Sequence, residues 1–272
     1  MKNGSYDASA YTDEKIQKEI NRLISGVEND IENMYKCLEE IDFKGNKKLL
    51  DLGCGPGGTT KIINKFNPDG EIVAMDREDR FINHAKKLGL KNTTFIKGDC
   101  FKLPFDDNEF DCCFSRFVFQ HLSNPKDALN ELIRVTKPNG IIGVYEWDEG
   151  LTCMYPEPKY YKKYISSEST RRRFTSGDIF LGRKMYTLFY NAKIRNINVL
   201  QLKSDIFSPG RQVLYDGQLW SDNPSSEHPY VKAGLMTIEE ITHYYNELEE
   251  LIKREDSYVS FGSFFVSGKV NK

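Results

Sequence analysis

Histidine and tryptophan are scarce in this chain, four and two among 272 residues, and no pair of cysteines stands in C-x-x-C spacing. That pattern suggests neither a zinc site nor the disulfide frame of a small secreted domain. The six cysteines (Cys37, Cys54, Cys100, Cys112, Cys113 and Cys153) are scattered, and they read as reduced thiols with no metal role. Cys112 and Cys113 sit within an apolar run and are expected to pack in a core. Long hydrophobic runs are missing too: none approaches the roughly 20 residues that span a bilayer. The first residues, Met1 to Asp7, lack the apolar stretch of a secretion signal. These absences together give the expectation of a cytoplasmic protein without a membrane partner. A formal net charge of −2 leaves no field to hold nucleic acid non-specifically.

What is present begins at Leu49-Leu50-Asp51-Leu52-Gly53-Cys54-Gly55-Pro56-Gly57-Gly58. An apolar strand enters it, and Lys61-Ile62-Ile63-Asn64-Lys65-Phe66 leaves as an amphipathic helix. A glycine turn between strand and helix bares backbone N–H groups at the positive end of the helix dipole. It also lets a ligand approach the main chain. The spacing satisfies G-x-G-x-x-G through Gly53, Gly55 and Gly58, and G-x-G-x-G through Gly53, Gly55 and Gly57, so spacing alone leaves the ligand open. Asp51, two residues before the first glycine, would repel a pyrophosphate and suits a cation.

Further along, strand and helix signals alternate, as in a parallel sheet. Glu71–Asp76 is a short strand ending in an acid, followed by a helix predicted over Arg77–Leu88. Thr93–Asp99 is another strand with an acid at its tip. Phe110–Ser115 makes a fourth, and a turn at Lys137–Gly140 leads to a fifth over Ile141–Trp147. Ligands on open sheets of this kind sit beyond the carboxyl ends of the strands.

The string D-L-G-C-G-P-G-G resembles the first motif of class I S-adenosylmethionine-dependent methyltransferases, and G-D-C-x-x-L-P-F-x-x-x-x-F-D, S-R-x-x-x-Q-H-L and K-P-N-G-x-x-x-x-x-E extend the resemblance over about residues 45 to 150. The resemblance implies a Rossmann-like α/β sheet of seven strands, the last one antiparallel. It also implies S-adenosylmethionine as cofactor. By the same match Asp51 lies near the methionine end, with Gly53, Gly55 and Gly57 beneath the cofactor. Asp76, with Arg77 after it, would meet the ribose, and Asp99, Cys100 and Phe101 the adenine. Arg116 would face the methionine carboxylate or a substrate anion, and Tyr11 in the N-terminal cap could touch that carboxylate. His121 and Glu146 are the candidate general bases, with Asp148 a further acid of the same loop. The match to S-R-x-x-x-Q-H-L points to small-molecule acceptors with an oxygen, nitrogen or carbon nucleophile.

Residues 1–44 read as a helical cap, with Thr12 as an N-cap ahead of Asp13 and Glu14. Residues 45–272 form the methyltransferase domain, with substrate-cover insertions near 151–176 and 205–235. A helix over Asp178–Phe189, a strand over Ile194–Leu202, a helix over Thr237–Arg254 and a closing antiparallel strand over Tyr258–Gly268 complete it. Two rivals stand beside this reading: a nicotinamide-dinucleotide oxidoreductase, which the glycines allow, and a catalytically silent partner protein with the same fold.

Overall fold

In the computed structural model, residues 8–9, 11–208, 210 and 224–272 are described. Residues 209 and 211–223 of the insertion expected near 205–235 lie outside them. Two helices come first, α1 (Asp13–Glu28) and α2 (Ile31–Glu40). Thr12 caps α1, its side chain accepting from the Lys15 N–H, with Asp13 and Glu14 in the first turn.

The sheet follows as β1 (Lys48–Leu52), β2 (Glu71–Asp76), β3 (Thr93–Lys97), β4 (Phe110–Arg116), β5 (Thr136–Trp147), β6 (Cys153–Tyr155), β7 (Arg195–Asp205) and β8 (Tyr258–Lys269). Between the strands run α3 (Gly58–Phe66), α4 (Asp79–Lys86), α5 (Pro125–Val135), α6 (Tyr161–Phe174) and α7 (Met185–Asn191). A last helix, Ile238–Lys253, opens with a capping box between Thr237 and Glu240. The first five strands are parallel in the order β3-β2-β1-β4-β5. β8 then runs antiparallel between β5 on one side and β7 on the other. The eighth strand beyond the seven expected is β6, which extends the line of β5 along the far end of β8.

Alternation along the strands sorts residues between two cores, as the two-residue repeat of a sheet requires. Leu50, Val73, Cys113, Ile142 and Val266 face α5 and α7. Their neighbours Leu49, Ile72, Cys112, Tyr145 and Phe265 face α2, α3 and α4. A third cluster gathers Tyr244, Tyr245 and Leu248 of the last helix with Met154, Val259 and Phe261, and Tyr164 of α6 stacks on Tyr244 at 4.4 Å. The late insertions thus have a packing core of their own.

Three local expectations change. The helix after β2 begins at Asp79 with Glu78 as its cap, because the Asp76 carboxylate turns back to the chain before it. The stretch Lys137–Gly140 is a bulge inside β5 rather than a turn ahead of it: pairing runs from Thr136 opposite Phe110 straight to Ile141 opposite Cys112. The predicted Asp178–Phe189 helix is shorter, preceded by a 3-10 turn over Gly182–Lys184. No helix among the described residues is long and apolar enough to cross a membrane.

Phe265 is fully buried at the centre of β8, opposite Tyr145 and Leu200 and 6.1 Å from Phe114. Phe265→Ala is expected to lower stability by about 3–5 kcal/mol, read by chemical denaturation. A loss under ~1 kcal/mol would mean that β8 is not part of the core.

Candidate active site

Asp51, Asp76 and Asp99 come from the tips of three adjacent strands. Asp51 is buried near the end of β1 and Asp76 ends β2, beside it. Asp99 follows β3, where the Gly98 N–H donates to the Asp76 carbonyl. The glycine turn is pinned to β2: the N–H groups of Gly53 and Cys54 both donate to the Met75 carbonyl, at 2.7 and 3.0 Å.

One Asp51 oxygen accepts from the Thr60 hydroxyl at 2.6 Å, and the other, Oδ1, is buried without a partner among the described residues. Burial pushes the Asp51 carboxyl up to about 7, with the neighbouring Asp76 adding to the shift. An unpaired buried carboxylate oxygen is costly. A cationic or hydrogen-donating ligand group would supply what it lacks.

Asp76 accepts one N–H on each oxygen, from Gly55 and from Glu78, both at 2.9 Å. Burial raises its pKa, while these donors favour the charged form. An ionised carboxylate only accepts, which suits it to a pair of hydroxyls. Asp99 is exposed and accepts from the Phe101 N–H at 3.0 Å. Cys100 and Phe101 are half-buried beside it, and burial pushes the Cys100 thiol up to about 12. Arg77 is exposed at the end of β2.

Gly53 has φ of +75°, and a Cβ there would fall 2.2 Å from a methyl carbon of Val118. The turn and the loop after β4 are therefore in contact. A Cβ at Gly55 would meet nothing closer than Leu23 of α1, at 3.8 Å, and Gly57 leads into α3. The glycine turn thus approaches both the loop after β4 and α1, and the unpaired Asp51 oxygen lies on the strand that enters it. The donor set fits a cationic nucleoside compound.

Glu146 has a different place from the one expected of a base. It is fully buried, and its carboxylate accepts the N–H groups of Val118, Phe119 and Gln120 at 2.8, 2.7 and 3.3 Å. Burial raises it to about 8 against the pull of these three donors. All of its reach goes to holding the β4 loop, so it is a positioning residue. Asp148 is buried too, in a salt bridge with Arg183 at 2.6 Å.

Arg116, expected at a ligand anion, directs its guanidinium to the cap: it donates to the Gly26 carbonyl at 3.0 Å and to Asp30 at 2.9 Å, and stacks on Phe117. Asp30 in turn accepts from Asn33 and from the Tyr145 hydroxyl. Tyr11 lies over α4, its carbonyl accepting from Arg80 at 2.7 Å and its ring under the Lys15 ammonium.

Gln120 and His121 form a separate 3-10 turn ahead of α5 rather than the start of that helix. Arg172 of α6 stands 3.4 Å from His121 Nδ1 and donates to Gln120 Oε1 at 3.1 Å. Since a guanidinium only donates, Nδ1 presents its lone pair to it and the imidazole is neutral. Burial, followed by the charges of Arg172, Arg22, Arg171 and Arg77, pushes the His121 pKa well down. Thr60 and Asp30 escaped sequence reasoning, whereas Arg172 is one of three consecutive arginines, Arg171 to Arg173, that the sequence reads first as a charged helix face and second as a contact for an anionic substrate. Of the first two, Thr60 alone left a trace, as a hydroxyl in the first turn after the glycines.

With this site in view, comparison with known proteins agrees. A family profile described as a methyltransferase domain matches residues 50–144, from β1 into β5. A methyltransferase domain thus occupies residues 50–144, and the S-adenosylmethionine use that it implies sets aside the nicotinamide reading. An uncharacterised methyltransferase of Schizosaccharomyces pombe is 35% identical over 136 residues, covering 46% of this chain and 49% of that protein. The sterol 24-C-methyltransferase of Aspergillus fumigatus is 35% identical over 113 residues, 40% of this chain and 30% of its own length. The chain thus spans half or less of these curated relatives. Among solved structures, a methyltransferase from Aquifex aeolicus is 26% identical with a TM-score of 0.50, over 71% of this chain and 91% of that one. Phosphoethanolamine N-methyltransferase 2 of Haemonchus contortus has a TM-score of 0.61 over 98% of this chain and 59% of its own; at 16% identity it shows the shared fold.

Two outcomes check the electrostatics. The folded pKa of Asp51, about 7, lies above the value of about 3.9 in an unfolded chain. The folded state therefore holds the extra proton, and stability falls as pH rises from about 4 to 7. Melting of the ligand-free protein should show this decline, with a shallower slope in Asp51→Asn; equal slopes would remove Asp51 as its source. Glu146→Ala strands three buried N–H groups and is expected to cost about 3 kcal/mol or more. A variant as stable as the parent would return Glu146 to the list of free bases.

Proposed function

We propose that this protein moves the methyl group of S-adenosylmethionine to a small-molecule acceptor. The observation that carries this reading is the buried, unpaired Oδ1 of Asp51 beside a bare glycine turn. That combination suits a ligand with an ammonium and no phosphate. Near-neutral net charge and the likeness to sterol 24-C-methyltransferases favour a small acceptor over RNA.

The cofactor, when bound, supplies a methyl group already made electrophilic by the sulfonium. The chain's own part is binding, alignment and exclusion of water. Asp51 would answer the ammonium, Asp76 the ribose hydroxyls, and Asp99 with Cys100 the adenine edge. Glu146 holds the loop from Val118 to Gln120 in register with the glycine turn. The cap helix α1 covers the turn on its outer side. His121, neutral around pH 7, is the candidate proton acceptor where the nucleophile must lose a proton.

Calorimetry with S-adenosylhomocysteine tests the binding half. The parent should bind, and Asp76→Ala should weaken binding by on the order of 30-fold, the loss of charge-assisted hydrogen bonds. Label from methyl-tritiated S-adenosylmethionine should then appear in a small-molecule extract. No binding, an unchanged affinity in the variant, or label entering only RNA or protein would each refute the proposal.

A further inference from the structure

The acids off the end of β5 suggest a site for an amine until their partners are counted. Glu146 is spent on backbone N–H groups and Asp148 on Arg183. Glu149 accepts from the Trp147 indole at 2.8 Å and the Thr152 hydroxyl at 3.1 Å, and burial raises its pKa. What remains unanswered on this side is positive.

Arg171 and Arg172 of α6 share one carboxylate, Glu168, at 2.7 and 2.6 Å, and Glu168 also accepts from the Tyr230 hydroxyl at 2.8 Å. Two guanidiniums thus lean on one acid that is 14% exposed, and Arg172 itself is 16% exposed. Arg172 places Nε on Glu168 and Nη1 between Gln120 and His121. Its Nη2 makes no hydrogen bond among the described residues. Other charges within range of His121 are Arg22, itself paired with Glu19, and Arg77, while Glu149 also feels Arg172. A half-buried guanidinium with an unspent planar edge is a ready oxyanion receptor. Glu149, which feels this charge, accepts from the indole of Trp147, and that ring contacts Phe117 at 6.1 Å and Phe261 at 5.6 Å.

We infer that Arg172 is the specificity-determining residue of the acceptor site and that the acceptor carries an oxyanion, a carboxylate or a phosphate, which this guanidinium receives. The inference rests on the methyltransferase reading above. On arrival of the anion Arg172 turns its free edge to it, next to the loop that Glu146 holds.

Three probes of one shape test this on the whole chain saturated with S-adenosylhomocysteine: phenylacetate, phenyl phosphate and the neutral phenylacetamide, titrated by indole fluorescence and calorimetry. At least one anion should bind on the order of tenfold tighter than the amide, and whichever does so tells carboxylate from phosphate. The preference should vanish in Arg172→Gln and persist in Arg173→Gln, whose residue is exposed on the same helix. No preference in the parent, including no binding of any probe, overturns the inference, as does a preference that survives Arg172→Gln. The parent comparison stands whatever that substitution does to folding. Failure of the methyltransferase reading would show separately, as absent binding of S-adenosylhomocysteine before any probe is added.

Discussion

A carboxylate at the end of β5 reaches across to the neighbouring strand's loop and collects three successive N–H groups there. Three consecutive donors pointing inward are what the start of a helical turn leaves unmet, and Glu146 meets them without water. That contact decides where Val118 stands, and Val118 in turn leaves no room for a side chain at Gly53. Two strands, a loop and the glycine turn are therefore set by one buried side chain. The main chain of the glycine turn, held also by the Met75 carbonyl, inherits its place from that arrangement.

The cap is tied to the same place by a second buried contact. Arg116 follows directly on β4 and pairs with Asp30 between the two cap helices, with the Tyr145 hydroxyl closing the group from β5. Phe117, next in the chain, adopts a left-handed φ of +57°, an uncommon state for a bulky residue. Stacking of the Arg116 guanidinium on its ring is the compensating contact. The two N-terminal helices and the loop after β4 thus share one charged joint.

The sheet was legible because each of its signals is local. Apolar runs of strand length, an acid or glycine at each tip and amphipathic helices between them are set by residues a few positions apart. The acids at the strand tips belonged to the same class of signal, which is why Asp51, Asp76 and Asp99 could be named. Glu146 could not be read, since an acid at a strand end looks the same whether it faces a ligand or a neighbouring loop. Arg116 and Asp30 stand far apart in the chain, and no pattern within it links them. For Arg172 the sequence left two readings open: α6 has no clear apolar stripe, so its run of arginines looks more like a solvated face than an anion contact until Gln120 and His121 are found beside Arg172.

The position of β8 bears on how the chain comes to be folded. Its twelve residues, Tyr258–Lys269, lie between β5 and β7 rather than at an edge. During synthesis, β5 would leave the ribosome with one side of its ladder unsatisfied and remain so while more than a hundred further residues are made. Closure of the sheet must therefore follow translation of that last strand, and until then a long apolar edge stands open to chaperones or to aggregation.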